Sequence, residues 1–122
     1  MELILGGVGQ GKRAFVQRRY ALPEQAFVEE FSTACENQVF VHYEHAVRRA
    51  LQAGEDPAKL TAQVLEANPS VLILCDEVGC GVVPVAREER LWREQVGRLC
   101  CQLAERADAV YRLFCGIPQR LK

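Results

Sequence analysis

Glycine and lysine at a fixed spacing are the first chemistry this chain offers. A short apolar run, Glu2-Leu3-Ile4-Leu5, leads straight into Gly6-Gly7-Val8-Gly9-Gln10-Gly11-Lys12-Arg13. Gly6, Gly11 and Lys12 meet the phosphate-loop pattern G-x-x-x-x-G-K-[S/T], with Arg13 where a hydroxyl residue belongs. Glycines let successive backbone N–H groups turn inward onto phosphate oxygens, and the next helix adds the positive end of its dipole. Lys12 then reaches the outer phosphates as a point charge. The missing member is the hydroxyl that normally holds magnesium. Gly6, Gly7, Val8, Gly9, Gln10, Gly11, Lys12 and Arg13 are therefore the expected nucleotide-binding residues, and metal chemistry at Arg13 is compromised.

A second signal is Asp76-Glu77, which follows the apolar run Ser70-Val71-Leu72-Ile73-Leu74-Cys75. Phosphate-loop enzymes need a carboxylate at such a strand end to position magnesium or orient the attacking group. Ligands of open α/β sheets also bind at the carboxyl ends of the strands. Lys12, Asp76 and Glu77 are the expected catalytic residues, with Asp76 and Glu77 as metal ligands. A loop-ordering or helix-capping role is the simpler alternative for the carboxylates.

Other reactive side chains carry less pattern. His42 and His45 are three apart and share a helical face if the helix begins early enough, an arrangement that can bind metal or supply a nucleophile. Otherwise they are ordinary imidazoles at an exposed helix start. The six cysteines, Cys35, Cys75, Cys80, Cys100, Cys101 and Cys115, show no paired C-x-x-C spacing. They read as reduced, buried thiols, with Cys80 and Cys115 the more reactive exceptions. Glu29-Glu30 read as a solvated strand end. Arg93 and Arg98 suit phosphate, a subunit contact or a charged helix face.

The elements that must position these residues alternate between strand and helix. Strands are expected at 2–5, 26–28, 70–75 and 109–115, while 39–41 is a strand or the entry to a helix. Residues 31–37 have no clean period and read as loop. Tyr43, Ala46, Val47, Ala50 and Leu51 share one helical face, with Glu44, Arg48, Arg49 and Gln52 opposite. Asp56-Pro57 caps and starts the next helix, and a long one runs from about Arg87 to Ala107. The unbroken apolar run 70–75 suggests a strand buried on both faces of a parallel sheet.

Length and charge narrow the class. With 122 residues, 49% hydrophobic and 25% charged, the chain reads as a single domain over 1–122. A net charge of −1 leaves no electrostatic footprint for nucleic acid. No apolar run approaches the roughly 20 residues needed to cross a bilayer, and no export signal opens the chain, so a cytoplasmic protein without a membrane partner is expected.

Several stretches resemble the adenosylcobinamide kinase / adenosylcobinamide-phosphate guanylyltransferase family of cobalamin assembly. Cys75-Asp76-Glu77-Val78-Gly79-Cys80-Gly81-Val82-Val83-Pro84 is similar to its "N-E-V-G-x-G-I-V-P" segment, and Leu91 to Arg98 to its "F-R-D-x-x-G-R". The tail from Ala107 to Lys122 is similar to "A-D-E-V-W…S-G-I…K-I-K", and the opening Leu3 to Lys12 to "V-T-G-G-x-x-S-G-K-S". The resemblance implies a phosphate-loop (RecA-like) α/β fold, a mostly parallel sheet flanked by helices. It implies phosphorylation of the aminopropanol hydroxyl of adenosylcobinamide, then transfer of GMP through a histidine intermediate. It also implies ATP or GTP, magnesium, a corrinoid partner and a homotrimer.

Three departures qualify this. Arg13 replaces the serine, Cys100-Cys101 stand where the family usually places polar amides, and no string like the histidine-bearing "H-x-x-x-R-P-x-x-W" occurs. The resulting expectation is a nucleotide-binding protein that phosphorylates a cobinamide-like hydroxyl. The alternative is a non-catalytic nucleotide- or corrinoid-binding module with a degenerate phosphate loop.

Overall fold

The computed structural model describes residues 1–79 and 81–122, so the reading of Cys80 lies outside the described residues. Strand β1 (Glu2–Gly6) enters the phosphate loop and helix α1 (Lys12–Tyr20), and a 3-10 turn at Glu24–Ala26 precedes β2 (Phe27–Val28). Then come α2 (Phe31–Ala34), β3 (Val39–Phe40), α3 (Tyr43–Gln52), α4 (Pro57–Ala67) and β4 (Leu72–Asp76). Helix α5 (Arg87–Arg106) leads into the hairpin of β5 (Ala109–Phe114) and β6 (Ile117–Arg120).

The six strands form one sheet in the order β2-β3-β4-β1-β5-β6, parallel throughout except for the antiparallel β5–β6 pair. This is the mostly parallel α/β sheet flanked by helices that the sequence leads one to expect. Strand β1 is central, and its register sets Gly6 beside Asp76 on one side and Leu113 on the other. The phosphate loop thus leaves the sheet where the Asp76 strand ends.

Alternation along the strands divides the core in two. Leu3, Phe40, Ile73, Cys75 and Val110 point to the face covered by α2 to α5, where Tyr43, Val47, Trp92, Leu99 and Leu103 meet them. Ile4, Val39, Val41, Leu72, Leu74, Tyr111 and Leu113 point to the other face, covered by Phe15 and Val16 of α1. Adjacent residues of β4 therefore serve opposite faces, as its continuous apolar run requires.

Four expectations change. Residues 31–34 form a helical turn rather than loop, because Phe31 packs edge-on against Phe40 and Tyr43 at 5.2 and 6.0 Å. The Nδ2 of Asn68 donates to the Ala34 and Asn37 carbonyls and ties its end down. The chain adds β6 after Gly116, a short antiparallel return that no alternation announces. Glu44 is not on the solvent face of α3 but 1% exposed, whereas Leu51 is 38% exposed. Of the five described thiols, all free, Cys101 is exposed rather than buried, while Cys115 is exposed at its strand end, outside the buried set from the start.

Helix α4 forms as its start signals require. The Asp56 carboxylate accepts the Ala58 N–H at 3.0 Å, and Pro57 occupies the first turn. Thr61 bridges this helix to α3, donating to Pro57 O and pairing with the Tyr43 hydroxyl, each at 2.7 Å. Burial pushes the Tyr43 hydroxyl well above its ordinary value. No helix among the described residues is long and apolar enough to cross a membrane.

Candidate functional site

The phosphate loop is shaped by glycines at positions of close approach or positive φ. A Cβ on Gly6 would lie 2.7 Å from the Leu113 carbonyl oxygen, closer than carbon and oxygen can sit. Gly9 and Gly11 turn in the left-handed region, at φ 72 and 94. The Gly11 carbonyl accepts the Phe15 N–H at 3.0 Å and so begins α1. From behind, the β5–β6 turn buttresses the loop: Gln10 accepts the Cys115 N–H on its side chain at 2.7 Å and the Gly116 N–H on its carbonyl at 2.9 Å.

Lys12 is the charged centre. It is 8% exposed, and its Nζ donates to the Gly6 and Gly7 carbonyls at 2.9 and 2.8 Å. The same ammonium lies 2.5 Å from Asp76 Oδ1. A buried charge needs such partners, and Lys12 and Asp76 both line a cleft of about 430 Å³. Val8 to Ala14, Gln17, Val41, His42, Leu74 and Asp76 line that cleft.

Arg13 lines the cleft, but its guanidinium is engaged elsewhere. It pairs with Glu24 at 2.5 Å and lies 4.3 Å above the Phe27 ring. Hydrogen bonds from Arg13 and Gln17 hold the Glu24 carboxyl below its ordinary value.

Asp76 and Glu77 do not act on the same space. Asp76 faces Lys12, while both Glu77 oxygens accept from Arg112, Oε1 from Nε at 2.7 Å and Oε2 from Nη2 at 3.2 Å. Strand alternation separates them, with Arg112 on the α5 face of β5 and Glu77 beside it. Arg93 donates to the Val82 carbonyl at 2.7 Å, and Arg98 pairs with Glu94 along α5.

Sequence reasoning missed Glu44. Its Oε2 accepts the Asp76 backbone N–H at 2.9 Å and fixes the end of β4, and the Trp92 Nε1 donates to its carbonyl at 2.8 Å. Periodicity along α3 alone assigns it to solvent. Its position in the first helical turn, between His42 and His45, was the available signal. The neighbouring Cys75 thiol is pushed well above its ordinary value, first by hydrogen bonding with Cys100 and then by burial.

The family model for cobinamide kinase / cobinamide phosphate guanyltransferase matches residues 12–121. The chain belongs to this family. The matched stretch begins at Lys12 and takes in Asp76, Glu77 and the β5–β6 hairpin. One curated relative is the bifunctional adenosylcobalamin biosynthesis protein CobU of Escherichia coli (strain K12). It is 32% identical over 77 residues, which cover 63% of this chain and 41% of the relative. The chain thus matches well under half of that relative's length.

Proposed function

We propose that this cobinamide kinase family member binds ATP or GTP on Gly6–Lys12 and transfers the terminal phosphoryl group to a hydroxyl of a cobinamide-like corrinoid. The observation that carries this reading is Lys12, buried between two loop carbonyls and the Asp76 carboxylate. A polyphosphate entering the cleft would present oxygens to the same ammonium and to the loop N–H groups, and would draw Lys12 off Asp76. Asp76 is then free to orient the acceptor hydroxyl or accept its proton, while Lys12 offsets charge developing on the transferred group. Glu77, held by Arg112, positions the strand end.

Magnesium fits the donor set in part. Asp76 is a carboxylate on the cleft, and magnesium commonly takes one or two carboxylates with phosphate oxygens and water. Arg13 supplies no hydroxyl, so Asp76 would be the main protein ligand. The ion supplies charge neutralisation between the outer phosphates when bound. A homo-oligomer, a trimer on family grounds, is the assembly we propose; sedimentation of the purified chain tests it.

Arg13 also supports a second reading, a nucleotide- or corrinoid-binding module without catalysis. Its guanidinium cannot ligate a cation, and in place of a hydroxyl the site offers an arginine drawn to Glu24 and Phe27. Incubation with adenosylcobinamide, magnesium and γ-labelled ATP or GTP separates the readings. The kinase reading expects slow label transfer that Lys12→Ala abolishes. Nucleotide binding without any transfer would establish the second reading instead. No acid-labile GMP adduct is expected on the protein; an adduct on His42 or His45 would restore the guanylyl-transfer step.

A further inference from the structure

The described residues include one group of side chains with metal-ligating chemistry, and the phosphoryl-transfer reading leaves it unused. His42, Glu44 and His45 bring two imidazole nitrogens and a carboxylate oxygen to within 4.8 Å of one another. Glu44 Oε1 lies 3.8 Å from His42 Nδ1 and 3.6 Å from His45 Nε2. That oxygen is fully buried and has no hydrogen-bond partner, although the other oxygen of the same carboxylate is anchored on the Asp76 N–H. A buried carboxylate oxygen left without a partner is costly, and an opposing cation is the usual remedy.

We infer that His42, Glu44 and His45 bind a first-row divalent transition metal, zinc or a similar ion, at the edge of the phosphate-loop cleft. Two imidazoles and one carboxylate are the donor set of open three-residue zinc sites, and imidazole disfavours magnesium and calcium. Ligand bonds of about 2.0–2.2 Å place tetrahedral donors a little over 3 Å apart, so the three groups need only close by small rotations. His42 and His45 are half-exposed, which leaves them free to make that movement.

The surroundings orient the ligands. Glu29 Oε1 stands 3.5 Å from His42 Nε2, where it can take the ring N–H and leave Nδ1 for the metal. His45 lies parallel to the Trp92 ring, 9° between planes and 6.5 Å between centroids. The chain holds His42 in the left-handed region, at φ 52, immediately before α3. A non-glycine residue there is uncommon, and such strain gathers at functional sites. His42 also lines the nucleotide cleft, so water or a phosphate oxygen is at hand for the remaining position.

The test uses the chelator-stripped full chain, without nucleotide, titrated with Co²⁺ and then Zn²⁺. Visible d–d absorption of Co²⁺ and quenching of Trp92, the single tryptophan, report on the site. One equivalent should bind the wild type, displaced by Zn²⁺. His45→Ala and His42→Asn, which keeps a residue tolerant of positive φ, should each weaken binding at least about tenfold. Both positions are half-exposed, so circular dichroism should show folded variants, which the buried Glu44 does not offer. Wild-type binding no tighter than that of the doubly substituted protein overturns the proposal. So does binding that survives in the double variant and disappears in Asp76→Asn. Neither result bears on nucleotide binding, which is measured separately.

Discussion

Arg13 occupies the position at which a phosphate loop ordinarily offers a hydroxyl, and its guanidinium is held by Glu24 at 2.5 Å and by the Phe27 ring. The local consequence can be read from Glu24 itself. Its folded value is lowered by hydrogen bonds from Arg13 and Gln17, so the pair stabilises the fold above the ordinary glutamate range. That contribution is lost as pH falls through the lowered value. Arg13→Ser should move the Glu24 titration back up toward its ordinary value, followed by NMR of the side-chain carboxyl carbon. The same substitution restores the hydroxyl, and calorimetry should then show nucleotide affinity that drops on adding chelator, whereas the wild type should respond little. An unshifted Glu24 would mean that Gln17 alone sets its titration.

At the scale of elements, the junction of β1, the loop and the β5–β6 turn leaves no room for a side chain at Gly6 and little at Gly11. Gly6 has no room for a Cβ because the Leu113 carbonyl is backbone and cannot swing aside. Gly6→Ala should therefore destabilise by about 1–3 kcal/mol, the usual cost of overpacking, measured by urea unfolding. A neutral result would show that β1 and β5 can separate at this point. The glycines were legible as a loop pattern, but the turn that braces them was not. Gln10, Cys115 and Gly116 are more than a hundred positions apart along the chain for each contact, and nothing local marks the pairing. Glu44 was misread for a similar reason. One helix wheel assigns it to solvent, while β4 and α5 close over it, the Asp76 N–H donating to its Oε2 and the Trp92 Nε1 to its backbone carbonyl. Helix α2 escaped because one turn carries no period, and aromatic packing of Phe31 forms it.

For the whole molecule, the strands and long helices were legible because burial on both sheet faces writes continuous apolar runs, as in Leu72 to Cys75. Helix α5 shows the same on one side, with Trp92, Val96, Leu99 and Leu103 all buried. Leu99 is 2% exposed, so Leu99→Ala should cost about 2–5 kcal/mol in thermal or chemical unfolding. Strand order was beyond the sequence, yet it is the order that brings Gly6 beside Asp76 and so assembles the cleft. That cleft should receive a nucleoside triphosphate through Lys12. Isothermal titration of ATP and GTP into the wild type and Lys12→Ala tests it most directly. Saturable binding of at least one triphosphate to the wild type is expected, with an affinity loss of tenfold or more, about 1.4 kcal/mol, in the variant. Absence of binding at millimolar nucleotide, or equal affinity for the two proteins, would contradict it.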